Sequence, residues 1–400
     1  MSVKISIIGA GSAIFSLNII KDLCLTKRLA GSTVSLMDLN PDRLEAVYNI
    51  CVRYARELGE NLNVERTTDR LECLAGADYV INTACGLGHA KWKEIWDKAY
   101  EKGYRMGGSL AIISDEAFYI NFYQHRIMEE VYLDMQKVCP NAWYLLVANP
   151  VIGGVTFLKR KYPDMKLLGL CHGTHRAVDI MNCMGLDMNQ VEYEVPGVNH
   201  FVWLSKFKYK GENAFPLLEK WMDENMEKYR DYDIGPKAYD LYKRFGAWPI
   251  GDTATPGGNS WPYWYHTDDS LNQKWDEDPR SWFDKVYFGP TKAVVDQLMT
   301  VAKDESLKVT SVYPPEKSGE PIIPIIESLA FNIPRVIIIN VMNTDEYLEG
   351  IPKDFQVEVP CLINGKGCFP MHQESLNKPI LAYALRDKVA PYEMELAAFN

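Results

Sequence analysis

Two side chains that could bind a metal, Cys171 and His200, stand at the ends of one segment of the chain. Cys171 follows the apolar run 167–170, and His200 directly precedes a second apolar run at 201–204. A thiolate and an imidazole together suit a divalent metal that keeps further coordination positions open. Buried cysteines and hydrogen-bonded histidines are also common in protein cores, so residue type alone leaves both interpretations open.

A second pattern lies near the N-terminus, where glycines follow a short apolar run. Gly9 and Gly11, followed by Ser12, separate a predicted strand at 4–8 from a helix predicted to extend to about residue 25. Glycines in such a turn let the backbone approach a pyrophosphate, and the helix N-terminus offers free N–H groups. Ile14 replaces the third glycine of the usual motif, so an ordinary strand–turn–helix with structural glycines is the alternative.

An acidic residue supports the dinucleotide interpretation. Asp38 stands at the carboxyl end of the next predicted strand, 33–37. A carboxylate at this place accepts hydrogen bonds from the adenosine ribose, which favours NAD over its 2′-phosphorylated form. An N-cap or turn role is the alternative, although Asn40 before Pro41 already suits the start of the following helix. The predicted NAD-binding residues are Gly9, Gly11, Ser12 and Asp38.

Strands and helices alternate through the first 170 residues, with further strands predicted at 64–67, 79–83, 142–147 and 167–170. This alternation predicts an α/β fold with an N-terminal Rossmann-type, doubly wound parallel sheet over residues 1–170. Ligands bind beyond the carboxyl ends of such strands, where Asn149 and Cys171 both lie. Asn149 precedes a proline, so a simple turn residue is an equal alternative.

The pattern changes after Cys171. Strands are predicted at 191–195, 200–209, 336–341 and 356–360, and helices at 215–229, 236–245, 290–303, 322–331 and from 378 onward. The segment 246–266 is rich in Gly, Pro, Trp and Tyr and contains Asp252. Aromatic faces stack on sugar rings and carboxylates bind sugar hydroxyls. We therefore expect a C-terminal α+β catalytic domain over residues 171–400 that binds metal and sugar.

Composition limits the function classes. Of 400 residues 47% are apolar and 24% are charged, and the net charge of −10 argues against nucleic-acid binding. No apolar run reaches the length of a membrane-spanning helix, and the first residues enter a strand at once, which leaves no room for a signal peptide. Nine cysteines without CxxC pairing indicate a reduced protein. We expect a cytoplasmic enzyme with no nucleic-acid or membrane partner.

With these residues placed, the chain resembles glycoside hydrolase family 4 over nearly its whole length. The resemblance rests on the glycine turn at 9–12 and on the motifs at 148–150, 171–174 and 198–200, and it extends through 246–252, 317–320 and 357–360. It implies a fold related to lactate and malate dehydrogenases, bound NAD, and Mn²⁺ or another divalent cation held by Cys171 and His200. It also implies a small carbohydrate substrate and a homodimer or homotetramer.

The resemblance further implies an unusual route to glycoside hydrolysis, outside the mechanism that uses two carboxylates. NAD⁺ takes hydride from C3 of the sugar, and the resulting ketone acidifies the C2 proton. A base removes that proton while the metal stabilises the negative charge on the sugar oxygens. The aglycone then leaves, water adds, and NADH returns the hydride, so no net oxidation occurs.

Residue roles follow from the same resemblance. Asp252 matches the position where α-glycosidase members carry an aspartate base, although a loop carboxylate that caps its neighbours is the alternative. Tyr263 and Tyr265 are the other candidates for the base, since related branches use a tyrosine. His172 could bind a sugar hydroxyl or assist departure of the aglycone, and a neutral supporting role is equally compatible. The predicted substrate-binding residues are Asn149 and Asn199.

The motif Cys-His-Gly at 171–173 resembles family members that act on α-linked uronic acids, namely α-glucuronidases and α-galacturonidases. A neutral α-glucosidase or α-galactosidase of the same family is the alternative. Outside the family, a 2-hydroxyacid dehydrogenase or a non-catalytic NAD-binding protein would explain the N-terminal half alone. Four cations near the site could face a uronate carboxylate, although a solvated surface position is the ordinary role of each: Lys91, Lys93, His175 and Arg176.

Overall fold

A computed structural model describes residues 2–102, 115–228, 234–256, 265, 268–275, 277–278 and 284–399. The N-terminal half alternates strands and helices as the sequence predicts. Its strands are β1 (Lys4–Ile8), β2 (Thr33–Met37), β3 (Asn63–Thr67), β4 (Tyr79–Asn82), β5 (Trp143–Leu146) and β6 (Leu167–Gly169). Its helices are α1 (Ala13–Cys24), α2 (Pro41–Leu58), α3 (Arg70–Leu74), α4 (His89–Glu101), α5 (Asp115–Val138) and α6 (Val151–Lys161).

These six strands form a parallel sheet in the order β3-β2-β1-β4-β5-β6. The order reverses beside β1, so a crevice opens at the carboxyl ends of β1 and its neighbours. The central strands are apolar on both faces because helices cover both sides, and β1 is almost wholly buried. The prediction of a Rossmann-type, doubly wound α/β fold is confirmed.

The C-terminal half extends this sheet. Strand β13 (Arg335–Met342) lies antiparallel to β6, with Asn340 opposite Gly169, and β14 (Gln356–Asn364) pairs along β13. Beyond β14 follow β8 (Gly197–Val198), β9 (Phe201–Leu204) and β12 (Trp248–Ile250), while β15 (Gly367–Pro370) pairs with β14. Within the described residues the sheet has 12 strands, so it crosses the predicted division at residue 170. That division into domains stays a prediction.

A second, small sheet joins β7 (Val191–Glu194), β10 (Lys206–Tyr209) and β11 (Glu212–Asn213). The prediction of one strand over 200–209 is wrong. His200 is a turn residue with φ +59°, and the chain changes sheets at Ser205, between β9 and β10. Both halves are apolar enough to be strands, so periodicity alone did not separate them.

The remaining helices complete the fold. They are α7 (Arg176–Cys183), α8 (Phe215–Asn225), α9 (Pro236–Phe245), α10 (Asp269–Trp275), α11 (Gly289–Lys303), α12 (Val309–Val312), α13 (Ile322–Phe331), α14 (Lys378–Ala384) and α15 (Ala390–Phe399). A short π-helical segment, Leu385–Val389, joins α14 to α15. Helix α8 ends four residues before the predicted end at 229, a position outside the described residues. None of the described helices is both long and apolar enough to cross a membrane.

Candidate functional site

The glycine turn after β1 is built for close approach of the backbone. Gly9 has φ +86°, and a Cβ there would lie 2.6 Å from the Cα of Ala84. A Cβ on Gly11 would lie 2.6 Å from Oδ2 of Asp38. Larger side chains at either position would push the turn away from β2 and β4, which explains why glycine occupies both.

Asp38 lies against this turn at the carboxyl end of β2. Its Oδ2 accepts a hydrogen bond from the Gly11 amide at 2.8 Å, and its Oδ1 accepts one from the Asn40 amide at 2.9 Å. The turn and this carboxylate line one cleft of about 260 Å³ at the crevice of the sheet, together with Ser12. The structure therefore brings together all four residues that the sequence predicts for NAD binding.

His200 is positioned by a tight hairpin between β8 and β9. Gly197 pairs with Val202, so Asn199 and His200 form a two-residue turn. A Cβ on Gly197 would lie 2.1 Å from the carbonyl oxygen of Phe201, which only glycine avoids. The His200 backbone has φ +59°, a conformation that costs a non-glycine residue free energy. The imidazole is buried, at 6% exposure.

Asp252 meets His200 across the site. Its Oδ2 lies 3.2 Å from Nε2 of His200, and the carboxylate keeps 27% exposure. Asp252 belongs to a short 3₁₀ turn, Gly251–Ala254, which is attached to β9 through Thr253. The Thr253 hydroxyl accepts from the Val202 amide at 2.8 Å and donates to the Val202 carbonyl at 2.9 Å. The observed partner of the Asp252 carboxylate is therefore the candidate metal ligand His200.

Cys171 follows β6 and completes this group. The Gly173 amide donates to its Sγ at 3.4 Å. Burial raises the pKa of the Cys171 thiol well above its ordinary value, and the carboxylates of Glu358 and Asp252 raise it further. The thiol thus lies in a negative potential that disfavours the thiolate. A bound divalent cation would favour the thiolate instead.

Asn199 and Glu358 are buried beside Cys171 and contact each other. Sequence analysis assigned no role to Glu358. The Asn199 side-chain amide donates to Oε2 of Glu358 at 3.1 Å, and the Asn199 backbone amide donates to Oε1 of Gln356 at 3.1 Å. Burial raises the pKa of Glu358 to about 7. Among the described residues, neither the Asn199 Oδ1 nor the Glu358 Oε1 has a hydrogen-bond partner. An acid inside an apolar strand is the sequence signal that could have identified Glu358.

His172 points to a different neighbour. Its Nδ1 lies 3.7 Å from Oε1 of Glu320, and its ring centroid lies 5.5 Å from that of His175. Burial raises the pKa of Glu320, while the His172 charge acts to lower it. The His172 side chain keeps 45% exposure, so it remains available to a ligand.

The other predicted site residues have separate environments. Tyr265 is buried, and its hydroxyl donates to Oδ2 of Asp240 at 2.5 Å. Tyr263 lies outside the described residues. Asn149 lies on the loop after β5, where its Oδ1 is 3.5 Å from the Val151 amide, too long for a strong hydrogen bond. The roles of these three residues stay predictions.

The four predicted cations all face carboxylates of the protein. Lys91 pairs with Glu94 and Lys93 with Asp97, each at 2.9 Å on α4. His175 and Arg176 lie 3.9 and 3.6 Å from Asp179 on α7. These contacts follow the helical spacing of three or four residues. Each cation therefore already has a neighbouring negative charge.

Over the described part of the chain, no three His, Cys, Asp or Glu side chains converge as a complete metal cluster. The two candidate ligands Cys171 and His200 thus leave most coordination positions of a metal to other donors.

Two family models match this chain. Residues 4–186 match the model of family 4 glycosyl hydrolase, and residues 195–400 match the family 4 glycosyl hydrolase C-terminal domain. The chain therefore belongs to family 4 of the glycosyl hydrolases, and it is a glycosidase. The family that its motifs indicate is confirmed, and an unrelated dehydrogenase or a non-catalytic binding protein is not supported.

Three similar proteins illustrate the range of the family. An alpha-galactosidase of Bacillus subtilis (strain 168) is 25% identical over 386 residues, which cover 95% of this chain and 85% of that protein. An alpha-galacturonidase of Lachnoclostridium phytofermentans is 24% identical over 397 residues, which cover 89% of this chain and 79% of that protein. A 6-phospho-alpha-glucosidase from gut microorganisms, solved in complex with NAD and Mn²⁺, has a TM-score of 0.79 at 16% identity, with 100% and 90% covered.

Proposed function

We propose that this protein is an NAD- and Mn²⁺-dependent α-glycosidase that acts on α-linked uronic acid glycosides. The observation that carries the proposal is the contact of Asp252 with His200 beside Cys171, in a family 4 chain that also has a glycine-turn cleft. A base next to a candidate metal pair suits removal of a proton from carbon beside a metal-bound oxygen.

The cleft fits NAD. Gly9 and Gly11 allow the pyrophosphate to approach the turn, and Ser12 precedes the first turn of α1. The Asp38 carboxylate contacts two backbone amides, and the further lone pairs of its oxygens can accept ribose hydroxyls. A structural relative was solved with NAD and Mn²⁺, which agrees with both cofactors here.

The donor set fits a divalent metal. Cys171 and His200 would supply sulfur and nitrogen, which suits Mn²⁺ less than oxygen alone but leaves open positions for sugar oxygens and water. The nearby carboxylates of Asp252 and Glu358 make the place favourable for a cation. His200 Nε2 now faces Asp252, and it cannot both donate to that carboxylate and ligate a metal. Metal binding at Nε2 would therefore release Asp252 for catalysis.

When bound, NAD⁺ would accept and return hydride at C3, and the metal would polarise the neighbouring sugar oxygens. Asp252 would remove the C2 proton, since its carboxylate is partly exposed and lies beside the metal pair. The hydrogen bond from Asn199 to Glu358 would hold the turn that carries His200, and so fix the position of this candidate ligand. His172 would meet the departing aglycone or a sugar hydroxyl from the exposed side.

The substrate class rests on the Cys-His-Gly motif at 171–173 and on the similarity to an alpha-galacturonidase. The similarity to an alpha-galactosidase keeps neutral α-glycosides as the second candidate. All nine cysteines are free thiols, Cys171 among them, which agrees with a reducing compartment such as the cytoplasm. We also propose that the chain assembles into a homodimer or homotetramer.

The test is hydrolysis of nitrophenyl α-glycosides by the full chain under reducing conditions, with and without NAD⁺ and Mn²⁺. The panel contains the glucuronide, galacturonide, glucoside and galactoside. Cleavage of a uronide that requires both cofactors and accumulates no NADH would support the proposal. Cleavage of the neutral substrates alone would contradict the substrate class, and cleavage without NAD⁺ would contradict the mechanism.

A further inference from the structure

A buried lysine near the C-terminus lies within electrostatic reach of the candidate site. Lys388 belongs to the π-helical segment between α14 and α15, and its side chain is fully buried. Among the described residues, its Nζ has no hydrogen-bond partner. A buried ammonium without acceptors is costly, so its presence calls for a compensating charge or ligand.

The charge of Lys388 acts on the candidate catalytic residues. Burial lowers the pKa of Lys388 to about 8, while the carboxylates of Asp387 and Asp252 act to raise it. Burial also lowers the pKa of His200; Asp252 opposes that effect, and Lys388 adds to it. Lys388 is therefore close enough to Asp252 and His200 for its charge to be felt at both.

The Lys388 ammonium has no carboxylate in contact with it among the described residues, unlike the four cations that the sequence suggests for an acidic substrate. Lys91, Lys93, His175 and Arg176 lie near Glu94, Asp97 or Asp179, which offset their charges. The carboxylate adjacent to Lys388 in sequence, Asp387, is hydrogen-bonded to Arg386 instead. Among the described residues, Asp387 and Asp252 thus act on the Lys388 charge without a hydrogen bond to its Nζ, whereas each of the other four cations lies 2.9 to 3.9 Å from a carboxylate.

We propose that Lys388 is a specificity-determining residue, whose buried positive charge favours an anionic glycoside, specifically a uronide, over a neutral one. The inference rests on the proposed function, because it assumes that the sugar binds beside Asp252 and His200. The Nζ is covered by protein, so its effect is an electrostatic attraction through the interior rather than a hydrogen bond to the sugar. Such an attraction is weakly screened, since the interior has a lower dielectric constant than water.

The neighbouring carboxylates, rather than the single charge of Lys388, disfavour a phosphate relative to a carboxylate. A uronate carries one negative charge, whereas a phosphate monoester carries nearly two and is commonly bound by guanidinium groups. The guanidinium nearest in sequence to Cys171, that of Arg176, lies 3.6 Å from Asp179. Asp252 and Glu358 would also repel a dianion more strongly than a monoanion.

The experiment compares wild type with Lys388→Met and Lys388→Arg, using nitrophenyl α-galacturonide, α-glucuronide, α-galactoside and α-galactoside 6-phosphate with NAD⁺ and Mn²⁺. The measured quantity is the ratio of kcat/KM for a uronide to kcat/KM for the neutral galactoside. We expect Lys388→Met to lower this ratio about 10- to 100-fold, and Lys388→Arg to lose less because it keeps the charge. Lys378→Met, an exposed lysine on α14, is the matched control and should leave the ratio unchanged.

A binding measurement separates this inference from the proposed function. With Mn²⁺ present, galacturonate should raise the Tm of wild type more than galactose does, and Lys388→Met should abolish the difference. If no glycoside is cleaved but this difference behaves as expected, the proposed reaction fails while the role of Lys388 stands. An unchanged uronide-to-neutral ratio in folded Lys388→Met would overturn the inference, as would a wild type that prefers the neutral or phosphorylated galactoside. If Lys388→Met does not fold, Lys388→Gln takes its place with the same expected results.

Discussion

Asp252 and His200 restrict one another through a single contact. Nε2 of His200 lies 3.2 Å from the Asp252 carboxylate, and a nitrogen that donates to a carboxylate cannot bind a metal at the same time. If His200 binds a metal through Nε2, as proposed, Asp252 would lose this contact and become available as a base.

Asp252→Asn should therefore slow the proton transfer step while leaving the cofactor cleft intact. We expect the exchange of the sugar C2 proton with solvent deuterium to fall about 10²-fold or more, because the amide is no longer a base. The measurement is NMR of the sugar in deuterated buffer with NAD⁺ and Mn²⁺. Exchange at the wild-type rate would assign the base to another group, with Tyr263 and Tyr265 as the next candidates.

The sequence indicates three candidate site residues that the structure brings near one another, but it gives no sign of Lys388. Cys171, His200 and Asp252 stand in motifs of a recognisable family, and the structure places them in one group. Lys388 follows Arg386 and Asp387, a sequence typical of a solvated helix surface, and its burial depends on a tertiary contact that no local pattern reports.

At the scale of elements, one hairpin and one 3₁₀ turn position the group. The β8–β9 hairpin holds His200 in its strained turn, and Thr253 attaches the turn that carries Asp252 to β9. Positive φ at a non-glycine residue is not visible in the sequence. For this reason the apolar pattern predicted one long strand where the chain makes a turn and then two strands.

Thr253→Val tests this attachment, because valine keeps the shape of threonine and removes its hydroxyl. The Val202 amide and carbonyl would lose their buried partner, which should lower stability by about 1–3 kcal/mol. We also expect kcat to fall about tenfold or more, since small displacements of a base have large effects. Chemical denaturation and steady-state kinetics measure the two effects. Thr253→Ser keeps the hydroxyl and should retain most activity; equal losses in both variants would contradict the role of the hydrogen bonds.

At the scale of the whole molecule, the site lies where the N-terminal sheet meets its antiparallel extension. Cys171 follows β6, Glu358 lies on β14, and His200 lies between β8 and β9, all in one sheet. The alternation of strands and helices predicts the parallel half. The joining of β13 to β6 was not predicted, because antiparallel pairing between distant segments leaves no periodic signal of its own.

The C-terminal helix α15 packs against the N-terminal half and carries a buried acid. Glu395 accepts a hydrogen bond from the Asn121 side chain at 2.9 Å, and burial raises its pKa to about 7. The unfolded chain releases this proton at the lower, ordinary value. The stabilisation that the protonated Glu395 gives the folded protein is therefore fully present below the pKa of the unfolded chain. It is lost as the pH rises through the pKa of the folded protein.

Glu395→Gln should flatten this dependence, since glutamine is neutral at every pH and keeps an acceptor for Asn121. We expect the free energy of unfolding of wild type to fall by up to roughly 3 kcal/mol more than that of the variant between about pH 5 and 8. Urea denaturation of metal-free protein measures the difference. The pKa of Glu358 is also raised, so Glu358 adds equally to the pH dependence of stability in wild type and in Glu395→Gln. The exposed Glu305→Gln is the control, and an equal flattening there would refute the assignment.

Removal of the C2 proton is the defining step of the proposed reaction, and hydrolysis in deuterium oxide tests it most directly. An accepted nitrophenyl α-glycoside is hydrolysed to completion with NAD⁺ and Mn²⁺, and the product sugar is analysed by mass spectrometry and NMR. We predict one solvent deuterium at C2 of the product, because the carbon is deprotonated before water adds and is then reprotonated from solvent. A product that keeps its original hydrogen at C2 would contradict the account.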